Sequence, residues 1–207
     1  MAPRNVTADA TSFTSNAFLV DGDTPTLVDA GSMAGVVDVV SEHVDSLDQV
    51  VLTHQHGDHV GALDSVLDAF DADLYAYGDH PRRTEALVPG ETVRIGDEAC
   101  EIVYTPGHAD DHVSLVGDDS LFSGDVVVYN DGAFDDGSFG RTDRPGQSRE
   151  RLIESLHEIL SVLPDSVSAM YPGHGQVFRN EPDGDDVHTV IERALERAER
   201  RQPKYPE

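Results

Sequence analysis

Short apolar runs broken by polar turns alternate with longer segments of helical period along most of this chain. Ala17, Phe18, Leu19 and Val20 face Thr26, Leu27 and Val28 across the turn Asp21-Gly22-Asp23, which predicts a hairpin. Residues 32–44 place Val36, Val37, Val39, Val40 and Val44 on one face of a helix, despite the weak helix propensity of valine. Residues 48–53 read as a buried strand. Residues 61–70 follow as an amphipathic helix with Leu63, Val66, Leu67 and Phe70 on one side. A strand at 74–77 comes next, then two strand pairs, 92–95 with 99–104 and 112–116 with 120–123, each around a Gly/Asp turn. Residues 129–146 are a loop rich in glycine and aspartate. A helix at 149–163 buries Leu152, Ile153, Leu156, Ile159, Leu160 and Leu163. A strand at 167–171 and a charged helix at 187–201 complete the pattern. No internal linker interrupts it, so residues 1–207 are expected to form one domain whose last few residues are a flexible tail. Apolar strands and one-sided helices imply layers around a shared core.

The chemistry gathers at strand ends. The strand at 48–53 runs into Thr53-His54-Gln55-His56-Gly57-Asp58-His59, three histidines and an aspartate within six residues. Neutral imidazole and carboxylate are the usual ligands of zinc and other divalent transition metals. The carboxyl ends of strands are where sites form in sheets covered by helices. Downstream, Thr105-Pro106-Gly107-His108 ends the strand at 99–104, Gly124-Asp125 ends the one at 120–123, and Pro172-Gly173-His174-Gly175 ends the one at 167–171. A carboxylate at the end of an apolar strand, as at Asp125, is costly to bury unless paired or bound to metal. His112 is expected to support the metal loop through a hydrogen bond. Arg141, in Phe139-Gly140-Arg141-Thr142-Asp143, either anchors a substrate carboxylate or pairs with Asp143. His80 with Arg82 and Arg83 is read as a solvated loop or a rim for an anionic substrate, and His43, His157 and His188 as surface residues.

Composition adds constraints. The 207 residues include 40 acidic and 14 basic side chains, a formal net charge of −26. Such a field disfavours nucleic acid and anionic membranes as partners. Lys204 is the only lysine. Abundant Asp and Glu with almost no Lys resembles proteins of salt-loving archaea, where molar salt screens self-repulsion. No apolar stretch is long enough for a membrane span. The N-terminus lacks a signal-peptide pattern, so the expected location is the cytoplasm. The single cysteine, Cys100, is expected to be a buried thiol in a strand with no catalytic role.

The four motifs, in this order along residues 13–177, resemble the metallo-β-lactamase superfamily. The resemblance implies an α/β (α+β) fold, an αββα sandwich of two mixed β-sheets flanked by helices. It further implies that His54, His56 and His108 hold a first metal and Asp58, His59 and His174 a second, with Asp125 bridging both. Asp58 and Asp125 are then the carboxylates at the reacting centre. Two divalent ions are implied, zinc favoured, with iron or manganese also compatible. A paired-metal site makes hydroxide available near neutral pH and polarises a carbonyl or phosphoryl oxygen.

Within the family, Asp125 is unlike true β-lactamases, His56 is unlike the diiron flavoproteins, and the insertions of the nucleases are missing. Thr105-Pro106-Gly107-His108 with His112, and residues 140–146, are similar to short glyoxalase II-like thioesterases, which hydrolyse S-2-hydroxyacyl thioesters such as S-lactoylglutathione. The long C-terminal helical domain of full-length glyoxalase II, which completes the glutathione pocket, is expected to be lacking, which leaves the thiol carrier open. The alternatives implied are a mononuclear iron persulfide dioxygenase on His54, His108 and Asp125, a lactonase, and a non-catalytic scaffold of the same fold. The expected partner is a small-molecule thioester, with substrate contact at Arg141; the oligomeric state is left open.

Overall fold

The computed structural model describes residues 2–180, 182 and 184–200. In chain order the elements are β1 (Arg4–Asn5), β2 (Phe18–Val20), β3 (Thr26–Val28), α1 (Val36–Ser41), β4 (Gln49–Val51), α2 (Gly57–Val60), α3 (Leu63–Phe70), β5 (Asp73–Ala76) and β6 (Glu85–Ala86). There follow β7 (Thr92–Ile95), β8 (Glu98–Tyr104), β9 (Val113–Val116), β10 (Ser120–Gly124), α4 (Arg149–Val162), β11 (Ala169–Pro172), β12 (Phe178–Arg179) and α5 (Val187–Glu199). One sheet has the order β1-β2-β3-β4-β5-β6 and the other β12-β11-β10-β9-β8-β7. Both are mixed. The first turns parallel from β3 onward, and the second is antiparallel except where β10 pairs with β11.

Strand periodicity explains the layering. Successive side chains of a strand point to opposite faces. In β2, Phe18 and Val20 join one apolar cluster and Leu19 another; in β3 and β4, Leu27 and Val50 part from Val28 and Val51 in the same way. The cluster shared by the two sheets contains Phe18, Val28, Val51, Ile102, Leu115, Phe122 and Tyr171. On the outer face of the first sheet, Leu19, Leu27, Val50 and Leu74 meet Val36 and Val40 of α1 and Leu63, Val66 and Leu67 of α3. On the outer face of the second, Val103, Leu121 and Met170 meet Leu152, Leu156 and Ile159 of α4 and Val190, Ile191 and Ala194 of α5. Three apolar layers between four layers of structure make the αββα sandwich. Capping fixes where the outer helices begin: Ser148 accepts from the Arg151 amide and Asp186 from the Thr189 amide.

Several boundaries depart from the periodicity. The valine-rich segment is helical only from Val36 to Ser41, because Gly35 caps it in a left-handed conformation (φ 90°) and residues before it are used in tertiary bonds. Among these, the Ser32 amide donates to Thr14 Oγ1 at 2.7 Å. The expected helix at 61–70 starts at Leu63, since the Ala62 amide is taken by the Gly31 carbonyl at 2.8 Å. A separate turn of helix, α2, precedes it. The short strands β1, β6 and β12 carry no sequence signal of their own and exist by pairing with β2, β5 and β11. The 187–201 helix ends at Glu199, and the tail at 201–207 lies outside the described residues. Cys100 is fully buried in β8, as expected, and burial raises its thiol to about 12.

Candidate metal centre

Five strand ends converge on one edge of the sandwich. β4 delivers His54, and His56 caps α2, which carries Asp58 and His59. β8 leads to His108, β10 to Asp125, β11 to His174 and β3 to Asp29. Two glycines make the convergence possible. Gly124 turns the chain with φ 51°, which favours a residue without Cβ. A Cβ on Gly173 would strike Asp125 Oδ1, so the β11 end can approach the β10 end only because that position is bare.

Two trios of ligand atoms with no shared member result among the described residues, each within 4.8 Å: His54, His56 and His108 in one, and Asp58, His59 and His174 in the other; a third, His54, His59 and Asp125, links them. Asp125 lies between them. Its Oδ2 is 3.2 Å from His108 Nε2 and 3.5 Å from His174 Nε2, and its Oδ1 is 3.6 Å from His59 Nε2. His174 Nε2 is 3.0 Å from Asp58 Oδ2.

Hydrogen bonds behind the rings assign their tautomers. Thr53 Oγ1 donates to Asp29 Oδ2 at 2.8 Å and therefore accepts from His54 Nδ1 at 3.1 Å. His108 Nδ1 donates to the Arg141 carbonyl at 2.9 Å. His59 Nδ1 donates to Asp29 Oδ2 at 2.9 Å. The Nε2 atoms of His54, His59 and His108 are thereby left facing inward. His54 Nε2 and His108 Nε2 both approach His56 Nδ1, at 3.0 and 2.9 Å. One proton at His56 Nδ1 can satisfy only one of these contacts, so the trio holds more acceptors than donors.

Electrostatics sort the groups further. Burial, then the surrounding imidazoles, holds His54 well below the ordinary histidine range, and burial likewise lowers His108. Both are kept neutral, the form that binds metal. Burial opposes the charged form of His59, but the Asp29 and Asp125 carboxylates outweigh it and raise its pKa to about 9. Burial also works against ionisation of Asp58 and His174, yet the hydrogen bond to His174 and the His59 charge lower Asp58, and Asp125 with the Asp58 hydrogen bond raises His174. Asp125 itself is held well below the carboxylate range against its burial by the surrounding histidines, His174 first.

The donor set fits divalent transition metals, and one observation tests that fit directly. His59 Nε2 and Asp125 Oδ1 are buried and have no hydrogen-bond partner. An unsatisfied buried polar atom costs about 1–3 kcal/mol. A cation bound by Asp125 Oδ1 and, in place of its proton, by His59 Nε2 would remove that cost.

Two residues have clearer parts here than the sequence assigns. Asp29, which belongs to none of the four sequence motifs, is 2% exposed, accepts the Thr53 amide and hydroxyl, and orients His59. The signal was the same as for Asp125, a carboxylate ending an apolar strand. His112 does hydrogen-bond within the site, as expected. Its Nε2 accepts the Asp125 amide at 2.9 Å and its Nδ1 bonds Thr105 Oγ1 at 2.8 Å, so it fixes the Asp125 backbone rather than another ring. Burial takes its pKa down to about 3, which keeps that acceptor available.

A cleft of about 880 Å³ opens over Asp58, Asp125 and His174, with Phe13, Arg141 and Arg144 among its walls. Arg141 makes the pairing anticipated as one of its two roles, a two-pronged contact with Asp143 at 2.7 and 2.8 Å that lowers the Asp143 carboxyl. His80, Arg82 and Arg83 are not among the residues lining the cleft. Arg82 pairs with Asp68 and Arg83 with Asp79. His43 and His157 are exposed and His188 is half-buried.

An αββα sandwich with a three-histidine trio and an Asp/His trio at one edge defines a class of metal-dependent proteins. The profile of the metallo-beta-lactamase superfamily matches residues 10–174, and the chain belongs to that superfamily. Among curated proteins, it is 29% identical to a hydroxyacylglutathione hydrolase of Aliivibrio fischeri, over 82% of this chain and 67% of that protein. It is 28% identical to the hydroxyacylglutathione hydrolase of Vibrio cholerae, over 87% of this chain and 71% of that one. The chain thus spans about two thirds of the length of these relatives. Among solved structures, ETHE1 from Myxococcus xanthus superposes with a TM-score of 0.71 at 23% identity, over 96% of this chain and 90% of that one, a likeness of fold. No helix among the described residues is long and apolar enough to cross a membrane.

Proposed function

We propose that the protein is a binuclear metal-dependent thioesterase of the glyoxalase II type, cleaving S-2-hydroxyacyl thioesters of small thiols. The observation that carries this reading is the placement of Asp125 between two complete trios, with reach to His59, His108 and His174. The similarity to two hydroxyacylglutathione hydrolases supports the substrate class. His54, His56 and His108 would hold one divalent ion, Asp58, His59 and His174 the other, and Asp125 both. Such ions supply an acidified water and a Lewis acid for a carbonyl oxygen. The chain's own residues do the rest. Asp29 and the Arg141 carbonyl fix the tautomers of His59 and His108. His112 holds the Asp125 backbone in place. Asp58 and Asp125 supply the negative charge that favours cations and keep an acceptor beside the reacting centre. Arg141, at the cleft wall, exchanges Asp143 for a substrate carboxylate. Zinc, a cytoplasmic location and a salt-rich host complete the reading.

His174→Ala tests it. The substitution removes one ligand of the second trio and leaves the first intact. Metal content is expected to fall from two ions per chain towards one, with strong loss of thioester cleavage. If the parent cleaves no thioester, and the variant keeps its full metal and a persulfide-dependent oxygen uptake, a single-iron dioxygenase on His54, His108 and Asp125 replaces the hydrolase.

A further inference from the structure

One wall of the cleft is built by the segment before β2, and it presents an aromatic ring to solvent. Phe13 is 78% exposed, although phenylalanine is ordinarily buried, and it lines the cleft. The backbone that carries it is fixed on both sides of the ring. The Phe13 carbonyl accepts from Ser32 Oγ at 3.1 Å, and Thr14 Oγ1 accepts from the Ser32 amide at 2.7 Å. The Ser15 amide donates to the Asp58 carbonyl at 3.2 Å and the Asn16 amide to the Gly173 carbonyl at 2.7 Å. Asn16 Nδ2 adds bonds to the Pro172 and Gly175 carbonyls at 2.8 and 3.1 Å. The segment is therefore tied to the two loops that carry Asp58 and His174. The Phe13 ring stacks on the His174 imidazole, with centroids 5.3 Å apart and planes 16° from parallel.

This placement serves something other than packing. A ring that only shielded His174 would bury itself against the protein, whereas Phe13 stays 78% exposed at the cleft wall. The same cleft is lined by Arg141 and Arg144, in a chain of net charge −26. An apolar face and cationic side chains around one centre suit a ligand with an apolar part and an anionic end. We infer that Phe13 is a specificity-determining residue, a fixed aromatic platform that packs against the apolar portion of an anionic thioester bound over Asp58, Asp125 and His174. The inference rests on the thioesterase reading, and the experiment below separates the two.

The test uses the metal-loaded protein and two matched series of carboxylate-bearing compounds whose alkyl group grows one methylene at a time. Non-cleavable thioethers report binding by calorimetry, and the corresponding thioesters report kcat and KM. In the parent, affinity is expected to rise up to about fourfold per methylene, the transfer value of one buried methylene. In Phe13→Ala that gradient should fall to less than twofold, through KM rather than kcat, with metal content unchanged. Phe13→Trp should restore it. An equal gradient in parent and Phe13→Ala overturns the inference, as does the absence of a gradient in the parent. A loss uniform across chain lengths, or accompanied by loss of metal, also overturns it by making Phe13 a structural support. A parent that binds the thioethers with the expected gradient yet cleaves no thioester defeats the thioesterase reading and leaves the platform standing.

Discussion

Replacing Asp29 by Asn isolates the part of the site that orients without touching metal. Asp29 Oδ1 accepts the Thr53 amide at 2.9 Å, and Oδ2 accepts both the Thr53 hydroxyl at 2.8 Å and His59 Nδ1 at 2.9 Å. An asparagine has one oxygen for these three donors. If its oxygen stays on the Thr53 amide, its NH₂ faces His59 Nδ1, and the ring must move its proton to Nε2, the atom aimed at the second trio. If the amide flips, its NH₂ meets the Thr53 N–H instead, and two donors confront each other. The first arrangement costs less, so the variant should hold His59 in the wrong tautomer for metal. The fold should survive, because His59 owes its pKa of about 9 to Asp29 and Asp125 and can shed its proton when Asp29 loses its charge. Loss of such an orienting partner weakens metal affinity by about 10–100-fold. That range corresponds to about 1.4–2.8 kcal/mol. Competition with a chromophoric chelator measures the affinity of each ion, and circular dichroism checks the fold. The ion held by Asp58, His59 and His174 should be the one affected. Unchanged affinity for both ions in a folded Asp29→Asn protein would refute the tautomer argument.

Three further outcomes follow from the same geometry. Asp125→Ala removes the carboxylate within 3.2–3.6 Å of His59, His108 and His174 and should abolish paired-metal occupancy, with a rate loss of at least about 10²-fold; full turnover at two metals per chain would contradict the shared-ligand assignment. With a net charge of −26, self-repulsion should lower the melting temperature in dilute buffer relative to molar KCl, and identical melting in both would remove the case for a salt-adapted surface. Cys100, fully buried with its thiol raised to about 12, should resist a thiol reagent at pH 8 in the native protein and react at once in denaturant; fast native labelling would place it elsewhere than in the sheet interior.

Local pattern carried a large share of this protein. Strands such as β8 and β10 and the helix α4 lie within a residue or two of their apolar periods, because burying one face is what forms them. The histidines and carboxylates of both trios were legible as short motifs at strand ends, since a site built at the edge of a sheet must draw each ligand from the end of a different strand. Other features depend on what the chain meets in three dimensions. The valine-rich helix shrank to Val36–Ser41 because residues around Ser32 are bound to the Phe13–Thr14 segment. Strands of two residues, such as β1 and β12, are created by their neighbours. Asp29 shows in the sequence only as a carboxylate ending an apolar strand and becomes an orienting residue when β3 is laid beside β4, which puts its carboxylate against Thr53 and His59. His112 gains its part in the same way, through the amide of Asp125 brought to it by the neighbouring strand β10. Residue types and spacing determine which groups can bind metal. Which proton sits on which ring, and which exposed ring faces the cleft, is decided by contacts between segments far apart in the chain.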